Sequence, residues 1–145
     1  DLKVICLTRS PAGLMASFQK PNKDEQKPKS TLAALAYYCA TLTFLRVASI
    51  LLGDKVLHLR YEDLLSSPVV ALHAIEHWSG VDFSTTLKML ERNEEFLVGH
   101  LVTGNRLRKQ GNIRFNPHVQ NAVLKGYGAK MALVVMNVWR RVLGF

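Results

Sequence analysis

The stretch at residues 2–18, LKVICLTRSPAGLMASF, constrains the fold more than any other part of the chain. Its β-branched apolar run at residues 4–7 predicts a short strand covered on both faces. Ser10 then suits the N-cap of a helix and Pro11 its first position, because proline lacks an N–H that a helix start leaves unbonded. This succession of strand, tight turn and helix predicts an α/β fold with Arg9 at the carboxyl end of a strand.

Arg9 therefore occupies a position at which α/β proteins bind anions. Open parallel sheets bind ligands at the carboxyl ends of their strands, and the N-terminus of a helix favours negative charge. Ser17 follows eight residues later, where its hydroxyl can join Arg9 on one phosphate. The same residues leave open an alternative, an arginine paired with a carboxylate and a serine on an ordinary helix surface.

A long apolar helix is expected next. Ser30 suits its N-cap, and the helix is expected to end near Leu52 with Gly53 as its stop. Leu32 belongs to the predicted inward stripe. The segment is long enough to span a bilayer, but Arg46 within it favours a core helix of an α/β domain.

Further elements continue the alternation of strands and helices. A second strand, KVLHLRYEDL, is expected to bury His58 and to carry Glu62 at its carboxyl end, where Glu62 is interpreted as structural. Near the end of the chain, Tyr127 and Gly128 predict a break before a closing helix at residues 131–142.

Charge and cysteine usage limit the classes of partner. The 145-residue chain is 48% hydrophobic and carries a net charge of +8, which implies an acidic partner such as a nucleotide, an acidic glycan or an anionic lipid surface. Few aromatic residues and no basic helix face disfavour nucleic acid. Cys6 and Cys39 are interpreted as free buried thiols, with a disulfide as the alternative, and no Cys/His spacing indicates zinc.

A basic, glycine-punctuated stretch at residues 100–115, HLVTGNRLRKQGNIRF, is the second candidate site. Cations on such a loop can converge on a phosphate together with backbone N–H groups. A plain basic surface loop is the alternative.

Three separated segments, LTRSPAGLMAS, LHLRYEDLLSSP and GHLVTGNRLR, together resemble the sulfotransferase family, in particular the Golgi carbohydrate sulfotransferases. The resemblance implies that residues 1–145 form the C-terminal part of a single sulfotransferase domain. Its fold would be α/β and P-loop-NTPase-like, a parallel sheet flanked by helices, truncated at the N-terminus. It also implies 3′-phosphoadenosine 5′-phosphosulfate (PAPS) as sulfuryl donor, no metal, and a carbohydrate hydroxyl as acceptor, on a glycan that can itself be polyanionic.

The resemblance also assigns roles to individual residues. Arg9 and Ser17 match the family's 3′-phosphate pair, and Tyr61 matches a position near the adenine. The family pattern Gly-Asn-x-x-Arg supplies the remaining candidate cofactor ligands: Asn105, Arg106 and Arg108. Among titratable residues near this pattern, His100 and Glu95 are weak candidates for the catalytic base, which the sequence does not identify.

Two departures from the family are visible. Ser10 stands where the family usually has Asp. The glycine-rich 5′-phosphosulfate loop, which in the family precedes the equivalent of the first strand, is absent from this sequence. A non-catalytic nucleotide-binding fragment and another P-loop, kinase-like domain are therefore the alternatives. The resemblance implies a Golgi-lumenal enzyme from a single-pass type II membrane parent, with keratan, chondroitin and N-acetylglucosamine-type glycans all open as acceptors.

Overall fold

The computed structural model describes residues 2–19, 28–97, 112–115 and 126–145. Their elements, in chain order, are β1 (Val4–Thr8), α1 (Pro11–Gln19), α2 (Thr31–Leu52), β2 (Val56–Arg60), α3 (Tyr61–Ser66), α4 (Pro68–Ser79), α5 (Ser84–Glu91), β3 (Glu95–Leu97), β4 (Asn112–Arg114) and α6 (Tyr127–Val142). The chain divides into two compact units, one formed by Asp1–Glu62 with Gln120–Phe145 and the other by Asp63–Val119.

The first unit contains a small parallel sheet. Strands β1 and β2 pair in parallel, with Cys6 opposite His58 and Thr8 opposite Arg60. The Thr8 hydroxyl adds a hydrogen bond to the carbonyl of Leu59 at 3.3 Å. Because α1 and α2 connect the two strands, the fold is mixed α/β with a two-stranded parallel sheet flanked by helices.

The expectation that β1 is covered on both faces is wrong. Cys6 and Thr8 are buried, whereas Ile5 and Leu7 are 45% and 47% exposed. Side chains alternate across a strand, so the helices cover one face of the sheet and the other face is largely open.

Both expected serine caps are confirmed. The Ser10 hydroxyl accepts a hydrogen bond from the Gly13 N–H at 3.2 Å, and the Ser30 hydroxyl accepts one from the Ala33 N–H at 3.2 Å. Helix α2 ends at Leu52, and the residue that caps it, Gly53, has a φ of +57°. Glycine adopts this left-handed conformation at little cost, which explains the stop.

The core of the first unit lies between α1, α2 and α6. Its fully or nearly fully buried members are Met15, Ala34, Tyr38, Leu42, Ala129, Ala132 and Met136. Leu32, expected to point inward, is exposed. The buried stripe of α2 runs in four-residue steps from Ala34, and Leu32 lies off that stripe.

One helical segment among the described residues is long and apolar enough to cross a membrane by length and composition, Thr31–Lys55. It comprises α2 and a short 3-10 turn, Gly53–Lys55. The Tyr38 and Leu42 side of α2 packs in the protein core. Helix α2 thus has one face in the protein interior and an apolar face outside it.

Two further expectations need correction. His58 is exposed, and it is satisfied by a contact of 2.9 Å between its Nε2 and the Ser49 hydroxyl. Tyr127 and Gly128 do not interrupt the chain but begin α6. The break falls earlier, because Gly126 has a φ of +98°.

The second unit combines α4 and α5 with an antiparallel pair of short strands. The N–H of Phe83 donates to the Glu76 carboxylate at 3.1 Å, which fixes the connection between the two helices. In the strand pair β3–β4, the Glu95 carboxylate lies 3.2 Å from the Arg114 guanidinium.

Burial in α6 predicts a difference between two methionines of the same helix. Met136 is fully buried and Met131 is 46% exposed. Met136→Ala should lower the free energy of unfolding by about 2–5 kcal/mol because it leaves a cavity. Met131→Ala, the matched control, should lower it by less than about 1 kcal/mol. Urea denaturation measures both values, and equal losses would contradict this description of the core.

Candidate functional site

Parallel pairing brings the residues that follow β1 and β2 to the same edge of the sheet. Arg9 follows β1, and Tyr61 follows β2 as the first residue of α3. The Arg9 guanidinium carbon lies 4.7 Å from the centroid of the Tyr61 ring. This cation–π contact fixes the arginine side chain at the carboxyl end of the sheet.

Gly13 gives the Arg9 side chain room against the start of α1. A Cβ atom at Gly13 would lie 2.9 Å from Arg9 Nε and 3.0 Å from the Ser10 hydroxyl. Both distances are shorter than real Cβ contacts normally allow, so a side chain at this position would displace its neighbours. The arginine therefore lies closely against the N-terminal turn of α1, where the helix dipole favours anions.

Arg9 lacks a carboxylate partner within the described part of the chain. The ion pairs found there join His73 to Glu76, Arg92 to Glu94 and Arg114 to Glu95. Arg9 Nε is buried without a hydrogen-bond acceptor among those same residues. The interpretation of Arg9 as half of a structural ion pair finds no support there.

Glu62 completes the local structure by anchoring the start of α1. One of its carboxylate oxygens accepts a hydrogen bond from the Ser10 N–H at 2.9 Å. Burial acts to raise the pKa of Glu62, but hydrogen bonds from Ser10 and the nearby charge of Arg60 outweigh it, and the pKa is lowered. The structural role expected for Glu62 agrees with this contact.

Ser17 lies on α1 and is exposed. It follows Gly13 by four residues, so both positions fall on the same side of the helix. Since the Arg9 side chain lies over Gly13, Ser17 is one helical turn further along the face on which the guanidinium rests.

Two contributors to this site were absent from the sequence-based candidates. Gly13 carries the only sequence signal of the two, since glycine inside a helix is unfavourable and often marks a close approach. The buried Tyr38 hydroxyl donates to the Arg9 carbonyl at 3.4 Å and holds the backbone of the turn. The sequence does not predict this contact, because a tyrosine within an apolar helix does not indicate which group its hydroxyl will bind.

The second candidate site falls mainly outside the described residues. Asn105, Arg106, Arg108 and His100 all lie there. Leu97 and Asn112, at the inner ends of β3 and β4, are paired across the strand ladder. The Glu95 carboxylate contacts both Arg114 and the Asn112 amide, so it is engaged in structural contacts within the second unit.

The described ranges hold no group of three or more His, Cys, Asp or Glu side chains arranged for a metal ion. Cys6 and Cys39 are both free thiols, as expected, although Cys39 is only half-buried. Burial raises the pKa of each thiol, which disfavours the reactive thiolate.

Comparison with known proteins gave no match to a family model, to a curated protein or to a solved structure.

The contact between Glu62 and Ser10 predicts a pH-dependent contribution to stability. Because the pKa of Glu62 is lowered by folding, its ionised form stabilises the protein above the unfolded-state pKa, and this contribution is lost as pH falls through the folded value. Glu62→Gln should cost on the order of 1 kcal/mol at pH 7. That difference from the wild type should shrink as the pH falls below the range in which a glutamate side chain usually titrates.

Urea denaturation at several pH values measures this difference. Glu91→Gln, at an exposed position of α5, is the matched control and should change stability by less than about 0.5 kcal/mol. A cost of Glu62→Gln that does not vary with pH would contradict the proposed role of the charge.

Proposed function

We propose that the chain belongs to an enzyme that transfers a sulfuryl group from PAPS to a hydroxyl of a glycan, in a P-loop-NTPase-like sulfotransferase fold. Arg9 and Ser17 would hold the 3′-phosphate of PAPS and Tyr61 would lie near its adenine. Support comes from the resemblance of three sequence segments and from the geometry around Arg9.

The observation that supports the proposal most is the way in which the Arg9 side chain is held. Its side chain is fixed by the Tyr61 ring and by the backbone at Gly13, and the ion pairs among the described residues do not include it. Nε lies against α1, and the guanidinium as a whole is a planar fork of N–H donors, which suits a phosphate group. A doubly charged phosphate beside the N-terminus of α1 also gains from the helix dipole. These residues fit the cofactor's phosphate.

The proposed roles of these residues are binding and orientation. PAPS supplies the activated sulfuryl group, and transfer of such a group depends on alignment and on neutralising oxygen charges more than on covalent catalysis. Arg9 would fix the nucleotide end by two parallel hydrogen bonds, and Ser17 would add one more. Asn105, Arg106 and Arg108 stay proposed cofactor ligands on the resemblance alone.

The proposed location in the cell also rests on the resemblance. A Golgi-lumenal enzyme on a single-pass membrane parent fits a glycan acceptor, and the net charge of +8 is compatible with a polyanionic one. A chain that binds the nucleotide without turnover is the competing outcome, and the experiments below separate the two.

Calorimetric titration with adenosine 3′,5′-bisphosphate tests the binding site. Arg9→Ala should weaken binding by about ten- to a hundredfold, because a charge-assisted pair to phosphate is lost. Arg92→Ala removes the same charge from an exposed position and is the matched control. Equal affinities for wild type and Arg9→Ala would refute the proposed site. Binding that depends on Arg9, without sulfuryl transfer from PAPS to any glycan, would favour the non-catalytic alternative.

Gly13→Ala should separate ligand binding from stability. The new methyl group would push the Arg9 side chain away from α1 and weaken nucleotide binding, while alanine in a helix adds up to about 1 kcal/mol of stability. Gly128→Ala is the control, since a Cβ there meets nothing within 4 Å. Calorimetry measures the nucleotide affinity, and urea denaturation measures the free energy of unfolding. Unchanged nucleotide affinity in Gly13→Ala would contradict the close contact between the Arg9 side chain and Gly13.

A further inference from the structure

Two neighbouring helices of the first unit expose apolar side chains that its core does not use. On α2 the exposed residues include Phe44, Val47 and Leu51, which are three or four positions apart and so share one side of the helix. On α6 they include Val135, Val138 and Val142, at a similar spacing. We call these six residues the α2/α6 face.

A tryptophan joins the two parts of this face. Trp139 of α6 is partly exposed, and its indole N–H lies 3.3 Å from the Cys39 carbonyl and 3.2 Å from the Thr43 hydroxyl, both on α2. Thr43 is itself exposed. The two helices therefore lie side by side at the surface, and their apolar positions extend away from this seam in both directions.

The charges on these helices all have one sign. Helices α2 and α6 contain Arg46, Lys130, Arg140 and Arg141, and neither contains an Asp or Glu. Arg46, Lys130 and Arg141 are exposed. Two helices that expose apolar side chains, contain cations but no acidic residue and share an amphipathic tryptophan have the composition of a protein face that lies in the headgroup region of an anionic bilayer.

We propose that the α2/α6 face docks on an anionic lipid surface. The opposite side of α2, with Tyr38 and Leu42, is in the protein core, so the folded helix lies on a membrane and does not cross it. Pairing the face with a second copy of the chain would bring two sets of cations together without carboxylates to offset them. Lipid phosphates and carboxylates supply the missing negative charge.

Cosedimentation of the chain with phosphatidylserine-containing vesicles tests this proposal. The wild type should bind these vesicles and bind pure phosphatidylcholine vesicles far more weakly, with binding that falls as salt is added. Phe44→Gln should lower vesicle affinity about tenfold, because the Phe44 side chain is 71% exposed and available for insertion. Lys130→Gln should lower it about fivefold.

Val70→Gln is the matched control for the apolar change, since Val70 is 69% exposed on α4, outside the face. Its vesicle affinity should equal that of the wild type, and circular dichroism should show the same helix content in all variants. Equal vesicle binding by Phe44→Gln and Val70→Gln would overturn the proposal. A wild-type chain that does not bind anionic vesicles would also overturn it. This includes the case in which the wild type forms a dimer and Phe44→Gln is monomeric.

Discussion

The parallel pairing of β1 with β2 is the constraint on which the first unit depends. Parallel strands need a crossover connection, and here α1 and α2 supply it. The same pairing makes both strands end at one edge of the sheet, which brings Arg9 to the ring of Tyr61 and Ser10 to the carboxylate of Glu62. The candidate site is thus a consequence of strand direction, and its side chains come from positions more than fifty residues apart.

Local signals made much of this predictable. Ser10 with Pro11, and Ser30 with Gly53, marked helix boundaries because caps and stops depend on neighbouring residues alone. The position of Arg9 followed from the strand and helix patterns beside it. The exposed face of β1 and the close approach at Gly13 did not follow, because both depend on which distant elements pack together. The break before α6 was misplaced for a local reason: Gly126, two residues before Gly128, takes the positive φ.

Two groups of positively charged residues have different proposed roles in the first unit. Arg9 is held rigidly by a ring and by backbone, as recognition of a phosphate by a planar fork requires. Arg46 and Lys130 are exposed beside apolar side chains, as contact with a broad anionic surface requires. The two proposed sites, one for a specific anion and one for a broad anionic surface, depend on different residues of a chain whose net charge is +8.

The central claim is that Arg9 is a preformed anion ligand, and nuclear magnetic resonance tests it most directly. The Arg9 Nε–H and Gly13 amide signals would be followed while adenosine 3′,5′-bisphosphate is added. We expect both signals to shift and to saturate together, since the side chain and the backbone lie in contact. If both stay unchanged while other signals shift and saturate, the nucleotide binds elsewhere and the account of this site is wrong.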